Sequence, residues 1–357
     1  MKTAFVMLGL RDHSTGGYAF NFRMADALEA AGHTVDVIHY RTVPGRVRGS
    51  RLLGSFHVLR RVMRGKPDLL VVSKSYSFMA PLRLLLPMLR IPVLYMVHHL
   101  EWHDRGEEVP ESRKRLVRWF VSSGDRVWVN SGCTASDVCA LGIPVERLAV
   151  IPPGYDPFPV PPYQERELPV KLLSVGTLCP RKDQITLLNA CLSLDRNDYQ
   201  LHLLGDEAAD PAYSARVREL AGCPSLRDRV FFHGHLAVEG LREFYGSAHV
   251  LVNPSRWEGY GMAVVEALQS GLPVVAADAG AVPELVENGV DGFLFPPGDA
   301  AALAGCLEKL ISSGTLRNDL SRMALEKAGK LFTWADTERE FVSLAESLGE
   351  KGGGIDP

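Results

Sequence analysis

Twelve short apolar, β-branched runs alternate with stretches of helical periodicity, six in each half of the 357-residue chain. In the first half they are TAFVMLGL (3–10), TVDVIHY (34–40), DLLVVS (68–73), PVLYMVH (92–98), RVWVN (126–130) and LAVI (148–151). In the second they are VKLLSVG (170–176), YQLHLLG (199–205), VFFHG (230–234), HVLVN (249–253), PVVAA (273–277) and GFLF (292–295). Such runs suit strands buried on both faces, and helices between successive strands make them parallel. The first interval predicts a helix from about Tyr18 to Ala31, closed by Gly32, where a left-handed cap costs glycine little. The expected class is therefore α/β, with two doubly wound parallel-sheet domains facing a central cleft. Ligands of such folds bind beyond the carboxyl ends of the strands.

The boundary between the two sets is marked by composition. Residues 152–169 hold seven prolines in eighteen positions, a rigid, donor-poor tract that reads as an interdomain hinge. The length allows two cores at about 150 residues per domain. We expect an N-terminal domain over 1–158 and a C-terminal domain over 159–335, with a last helix at about 336–350 packing back on the first domain. Residues 351–357, which end in GGGIDP, are expected to be a disordered tail.

Composition narrows the location. The 46% hydrophobic and 23% charged content is that of a soluble globular protein. Six cysteines form no C-x-x-C pair and no Cys/His metal spacing, which argues against a disulfide framework or zinc module. Arg11-Asp12 interrupts the N-terminal apolar run, so a signal peptide is not expected. The most apolar window, 78–97, carries Arg83, Pro87 and Arg90 and is a poor spanning helix. A cytoplasmic location is expected, with peripheral contact at the inner membrane face left open.

Charge is uneven. Residues 1–160 hold 21 Lys/Arg against 14 Asp/Glu, and the remainder 18 against 28. The 41–100 region has eleven basic residues and one acid, Asp68. It reads either as a solvated basic face or as a surface for an anionic partner, a lipid headgroup layer or a phosphate-bearing acceptor. Within it, Leu52, Leu53, Phe56, Leu59, Val62 and Met63 recur at helical spacing beside Arg51, Arg60, Arg61 and Arg64. That pattern fits an interfacial helix and equally a core helix with a basic outer face. A nucleic-acid binder would need stacking aromatics among the charges, and 41–66 contains only Phe56.

The stretch PSRWEGYGMAVVEALQSGLPVVAADAGAVPELVENGVDGFLFPPGD (254–299) carries the chemistry. A strand ends near Asn253, a loop with Gly259 and Gly261 follows, and a helix starts near Met262. Backbone N–H groups at a glycine-flanked helix start attract anions, so Gly259, Tyr260, Gly261 and Met262 are candidates to cradle a phosphate or diphosphate. Glu258 and Glu266, eight residues apart across that loop, can serve as two hydroxyl acceptors for a sugar or ribose. Alternatively, Glu258 caps the helix and Glu266 is a surface charge.

With E-x7-E set in EGYGMAVVEAL, then SGLPVVAADAGAVPELV and NGVDGFLFPPGD, and with SVGTLCPRKD (174–183) and IPPGYDP (151–157) before it, the chain resembles the retaining GT-B glycosyltransferases of family 4 (glycosyl transferases group 1). These have two Rossmann-like domains, and the family contains sucrose synthase and phosphatidylinositol mannosyltransferases. The first half matches more loosely, through STGGYAFNF and YMVHHLEW. The resemblance implies transfer of a sugar from a nucleotide-diphosphate sugar to a glycan, lipid-linked or small-molecule hydroxyl, with the acceptor bound by the first domain and the donor by the second. It implies Glu266 on the ribose, Glu258 on the donor-sugar hydroxyls and Lys182 on the diphosphate. The arginine usual after the strand-end glycine is replaced by Thr177, and Arg181 stands next to Lys182 as a substitute. Gly16 and Gly17 resemble the family's N-terminal glycine-rich loop, and His98 matches the histidine beside the reacting sugar. His99 is expected to shape acceptor choice, Asp156 to have a structural role at the hinge, and His233 with Gly234 to lie near the base. The implied catalytic set is His98, Lys182 and Glu258.

The family's usual proposal is front-face attack with the departing phosphate taking the acceptor's proton, without a covalent nucleophile. The chain has no Asp-x-Asp, which fits metal-independent transfer with no cofactor, cations replacing Mg²⁺ at the diphosphate. Domain closure over the hinge is expected to exclude water. A dinucleotide-dependent oxidoreductase would need G-x-G-x-x-G and an acid after the second strand, where the chain has STGGYAF and Tyr40-Arg41. A catalytically inactive sugar- or lipid-binding protein of the same fold is the remaining alternative.

Overall fold

The computed structural model describes residues 1–7, 16–39, 50–73, 91–103, 109–156, 169–196 and 198–353, without the side chains of 16, 18, 50–56, 101 and 351–353. The chain separates into two compact units, one of residues 1–102, 107–154 and 332–357, the other of 103–106 and 155–331.

In the first unit a six-stranded parallel sheet has the order β2-β1-β3-β4-β5-β6. Its strands are β1 Lys2–Met7, β2 Thr34–His39, β3 Leu69–Ser73, β4 Val93–Val97, β5 Arg126–Val129 and β6 Leu148–Val150. The helices are α1 Gly16–Ala30, α2 Ser50–Gly65, α3 Glu111–Val121 and α4 Gly132–Ala140. Right-handed crossovers send α1 to one face and the later helices to the other. Val58 and Val62 of α2 and Val117, Phe120 and Val121 of α3 share a core with Val6, Val72, Tyr95 and Val127. On the opposite face Phe20, Met24 and Leu28 of α1 pack with Phe5, Met7, Leu69, Met96 and Trp128. All five β3 residues and all five of β4 are buried, as two covered faces require. Gly32 closes α1 with φ 85°.

The α2 segment is a core helix whose outer face is basic: Val58 and Val62 are buried, while Arg60, Arg61, Met63 and Arg64 are exposed. Arg61 is paired with Asp36 of β2. Arg51 lies outside the described side chains, and 41–49 and 74–90, most of the basic region, lie outside the described residues.

The second unit repeats the plan. Its sheet joins β7 Val170–Val175, β8 Tyr199–Leu204, β9 Val230–Phe232, β10 Val250–Asn253, β11 Val274–Ala277 and β12 Gly292–Phe295 in the order β12-β11-β10-β7-β8-β9. The helices are α5 Gln184–Leu192, α6 Pro211–Ala221, α7 Val238–Ser247, α8 Met262–Gln269, α9 Val282–Leu285, α10 Ala300–Ser312 and α11 Gly314–Ala328. Their starts follow local rules. Asp210, Asp299 and Ser313 accept a backbone N–H three residues on, and Pro211 follows the first of these caps. Successive strands run outward from the β7/β10 pair in both directions, which makes that pair the topological switch point of the sheet.

The last helix, α12, runs Trp334–Gly353. It starts where Thr333 and Asp336 cap each other, the Thr333 hydroxyl donating to the Asp336 carboxylate at 2.6 Å. Phe341, Ala345 and Leu348 are buried in the core of the first unit. The helix continues through Gly352 and Gly353, past the expected end at 350, because glycine lowers helix propensity without forbidding a last turn. The rest of the expected tail, 354–357, lies outside the described residues.

Candidate functional site

The carboxyl ends of β7 and β10 meet at the switch point, and the segments that leave them carry the charged groups. After β7 the chain turns through Gly176 and Thr177 to Arg181 and Lys182 before α5; after β10 it passes Pro254 to Glu258 before α8. Lys182 Nζ donates to Glu258 Oε1 at 2.6 Å, and Arg181 Nη1 lies 3.5 Å from Oε2 of the same carboxylate. Arg181 Nη1 also donates to the Trp257 carbonyl at 2.9 Å. The lysine reaches back over Gly176, where an added Cβ would lie 3.1 Å from Lys182 Cε.

Glu258 is 6% exposed. Burial alone would raise its carboxyl, but Lys182 and Arg181, with hydrogen bonds from Lys182 and Ser255, outweigh burial and hold it down at about 2. Its carbonyl accepts from Ala281 N at 2.9 Å. Gly280, with φ 62°, makes that approach possible: a Cβ there would fall 2.2 Å from the Glu258 oxygen.

Glu266 sits one turn into α8 and accepts from the Tyr245 hydroxyl at 2.7 Å. Burial raises its carboxyl, opposed by the Tyr245 hydrogen bond and by the charge of Lys182. Both carboxylates thus lie in the field of one lysine. Burial and Glu266 together push the Tyr245 phenol well above its ordinary range.

Gly261 takes the N-cap of α8 with φ 105°, and Met262 is its first residue. Val264 and Val265 N–H donate to the Gly261 carbonyl at 2.9 and 3.1 Å, so the N–H groups that precede any intrahelical bond are those of Met262 and Ala263. Gly259 and Tyr260 precede the cap, the Tyr260 side chain buried and its phenol raised first by burial and then by Glu284. Around these segments Gln184 Oε1, Asn253 Nδ2 and Trp257 Nε1 are buried without a partner among the described residues, a departure from the usual pairing of buried polar groups. The Trp257 ring stacks on His103, centroids 3.7 Å apart and 8° from parallel. His233 Nε2 lies 3.0 Å from Nδ1 of His202, and Phe244 packs against its ring.

In the first unit, His98 follows β4 and is 8% exposed. Its Nε2 lies 2.9 Å from Asn21 Oδ1, an atom that only accepts, so the proton is on Nε2. Asn21 in turn donates from Nδ2 to Ser73 Oγ at 2.7 Å. Phe20 and Trp128 pack edge-on to the imidazole. Gly16 and Gly17, expected in a loop, instead form the first turn of α1. A Cβ on Gly17 would meet the His98 ring at 3.8 Å.

Sequence reasoning named Lys182, Arg181, Glu258, Glu266, His98 and the 259–262 turn, and did not name Asn21, Ser73, Tyr245, Asp183, Arg256 or Gly280. Of these, Asn21, Asp183, Arg256 and Gly280 lie inside the motifs STGGYAFNF, SVGTLCPRKD, PSRWEGYGMAVVEAL and SGLPVVAADAGAVPELV without standing out within them.

Two Rossmann-like parallel sheets of this kind are the architecture of the GT-B glycosyltransferases. The profile for glycosyltransferase family 4 matches residues 16–157 and that for glycosyl transferases group 1 matches 160–327, and the chain belongs to this family. It is similar to the mannosylfructose-phosphate synthase of Agrobacterium fabrum, 29% identical over 57% of this chain and 49% of that protein. It is also similar to the D-inositol 3-phosphate glycosyltransferase of Acidothermus cellulolyticus, 29% identical over 73% of this chain and 63% of that protein. The chain therefore spans about half to under two thirds of these curated relatives. In fold it is similar to Anabaena HepE, solved in complex with UDP-glucose: TM-score 0.79 at 20% identity, covering 97% of this chain and 100% of that one.

Proposed function

We propose that the protein is a retaining glycosyltransferase that moves a sugar from a nucleotide-diphosphate sugar to a hydroxyl acceptor. The observation that carries the reading is the buried Glu258 carboxylate held at 2.6 Å by Lys182 at the switch point of the second sheet. A nucleoside diphosphate leaves readily only when its developing charge is stabilised. Lys182 and Arg181 do this with fixed positive charge, and the N–H groups at the start of α8 with backbone dipoles. Glu258, ionised throughout, accepts from hydroxyls of the donor sugar, and Glu266 from the ribose. As the C1–O bond to the phosphate breaks, positive charge grows at the anomeric carbon. The acceptor oxygen then bonds to the same face of that carbon while its proton passes to the departing phosphate oxygen. His98, its tautomer fixed by Asn21, serves the transfer step as a hydrogen-bonding group. With Lys182 and Arg181 as the cations proposed for the diphosphate, the reaction needs no divalent cation, and EDTA is expected to leave turnover unchanged.

UDP-glucose is the first donor to try, since HepE binds it. A thermal-shift panel of UDP-, GDP-, ADP- and TDP-sugars tests the reading, because a ligand bound only by the folded form raises its stability. A donor hydrolysed or transferred by the parent and not by Glu258→Gln supports it. Stabilisation by no sugar nucleotide would overturn it. A silent binding protein, by contrast, would be stabilised by a donor without turning it over.

For the acceptor side we propose a lipid-linked hydroxyl and a cytoplasmic protein held peripherally at an anionic bilayer. The support is the exposed Arg60, Arg61 and Arg64 of α2 beside Met63, which is 54% exposed. No described helix is long and apolar enough to cross a membrane. Sedimentation with anionic vesicles is expected for the parent and lost in the triple Arg→Ala variant. A parent that stays in the supernatant would end this part of the proposal.

A further inference from the structure

Lys182 is followed by a residue whose backbone is unusual. Asp183 has φ 49°, and the other non-glycine residue with left-handed φ among those described is Lys66. Asp183 is buried, and its Oδ2 accepts from Thr186 Oγ1 at 2.8 Å and pairs with Arg256 Nε at 2.8 Å. Arg256 stands two positions before Glu258, and its own N–H donates to the Arg181 carbonyl at 2.8 Å. Arg181 returns a bond to the Trp257 carbonyl at 2.9 Å. A Cβ on Gly298, after β12, would lie 3.2 Å from Arg256 Nη2, so the guanidinium rests against a third segment. The Lys182–Glu258 pair is thus bracketed by a backbone bond, a guanidinium–carbonyl bond and an ion pair, all joining the segment after β7 to the segment after β10.

We infer that Asp183 and Arg256 are positioning residues that hold the ammonium of Lys182 against Glu258. The inference rests on the donor-binding roles proposed for Lys182 and Glu258. The lysine must fold back over Gly176, so its aim is set by the backbone at 182–183. Aspartate is among the few non-glycine residues that tolerate a left-handed turn, and its carboxylate bonds locally to keep it. Arg256 then ties that turn to the strand end that carries Glu258. The Arg256 side chain is 56% exposed, and an ion pair so placed adds little to global stability. Its use is geometric: misplacing a reacting or binding group by about 1 Å can cost on the order of 100-fold in rate.

The test uses the full chain with Arg256→Ala, Arg256→Lys, Asp183→Asn and Asp183→Gly. With UDP-glucose as donor, Arg256→Ala and Asp183→Asn are each expected to lower kcat/KM by about tenfold or more, while the unfolding midpoint stays close to the parent's. The double variant should be no worse than the poorer single one, because both break one link. Arg256→Lys should recover part of the loss, as a cation still faces Asp183. The acid limb of the kcat/KM profile should move to higher pH in Arg256→Ala, as Glu258 loses its close cation. Effects that multiply, or an unchanged kcat/KM, would overturn the inference. Hydrogen exchange at 177–183 gives a readout that needs no turnover: it should quicken in Arg256→Ala, and unchanged exchange would equally overturn the clamp. A parent that is inactive on UDP-glucose, and stabilised by no sugar nucleotide, bears on the function and leaves the exchange result to decide the clamp. Where Asp183→Asn fails to fold, Asp183→Gly keeps the left-handed turn without the carboxylate.

Discussion

The Lys182 ammonium and the Glu258 carboxylate form an ion pair of 2.6 Å, and Arg181 lies 3.5 Å from the carboxylate's other oxygen. Two cations thus converge on one buried anion. On the function proposed above, a diphosphate bound there would meet both Lys182 and Arg181.

Removing the anion should stop the chemistry without unfolding the chain. Glu258→Gln keeps the shape, and turnover of the accepted sugar nucleotide should fall by about 100-fold, ~2.7 kcal/mol of transition-state stabilisation. Circular dichroism should match the parent. Unchanged turnover would take Glu258 out of the site.

Lys182→Ala should weaken nucleoside diphosphate binding by about tenfold or more, because one cation is gone from the phosphate position. Calorimetric titration with UDP or GDP measures it. Equal affinity in variant and parent would mean that the lysine serves only Glu258.

The same pair makes stability depend on pH with a definite sign. The Glu258 carboxyl is depressed in the folded state to about 2 from an ordinary 4.5. Its contribution is therefore complete above the unfolded value and is lost as pH falls from about 4.5 towards 2. Acid unfolding of Glu258→Gln should be flatter than the parent's across that interval. Parallel curves would contradict the assignment.

Gly280→Ala places a methyl 2.2 Å from the Glu258 carbonyl oxygen at a φ of 62°. Overlap and left-handed strain together should cost about 2 kcal/mol or more. Denaturant melts would show a lower midpoint at unchanged slope. An unaffected midpoint would mean that the 280–281 turn yields easily.

Asn21→Leu leaves His98 in place but frees its tautomer. We expect kcat to fall about tenfold with little change in donor KM, since the second unit is untouched. A rise in KM alone would argue that Asn21 works on binding.

The strand plan was legible because parallel strands covered on both faces must be apolar throughout, and all twelve expected runs contain a strand. The described edges moved by a residue or two, as at His249 and Pro273, which stand just before β10 and β11. The charged part of the site was legible where residues lie close along the chain, as Glu258 and Glu266 do. Its supports were not. Asn21 is 77 positions from His98, and Tyr245 is 21 from Glu266. Hydrogen bonds over such separations leave no periodic trace, and an asparagine on a helix face looks like any solvated residue. Gly16 and Gly17 were misplaced because adjacent glycines ordinarily signal a turn, whereas here they open α1.

The last helix has a temporal meaning. Phe341, Ala345 and Leu348 complete the core around Phe5, Met7 and Leu28, yet they are translated after the whole second sheet. On the ribosome the part of the first sheet's face beside α1 must wait uncovered until everything between has emerged. A chain stopped by a nonsense codon before Trp334 would keep both sheets and expose that part, and would be expected to reach the cell as an aggregate or a protease substrate.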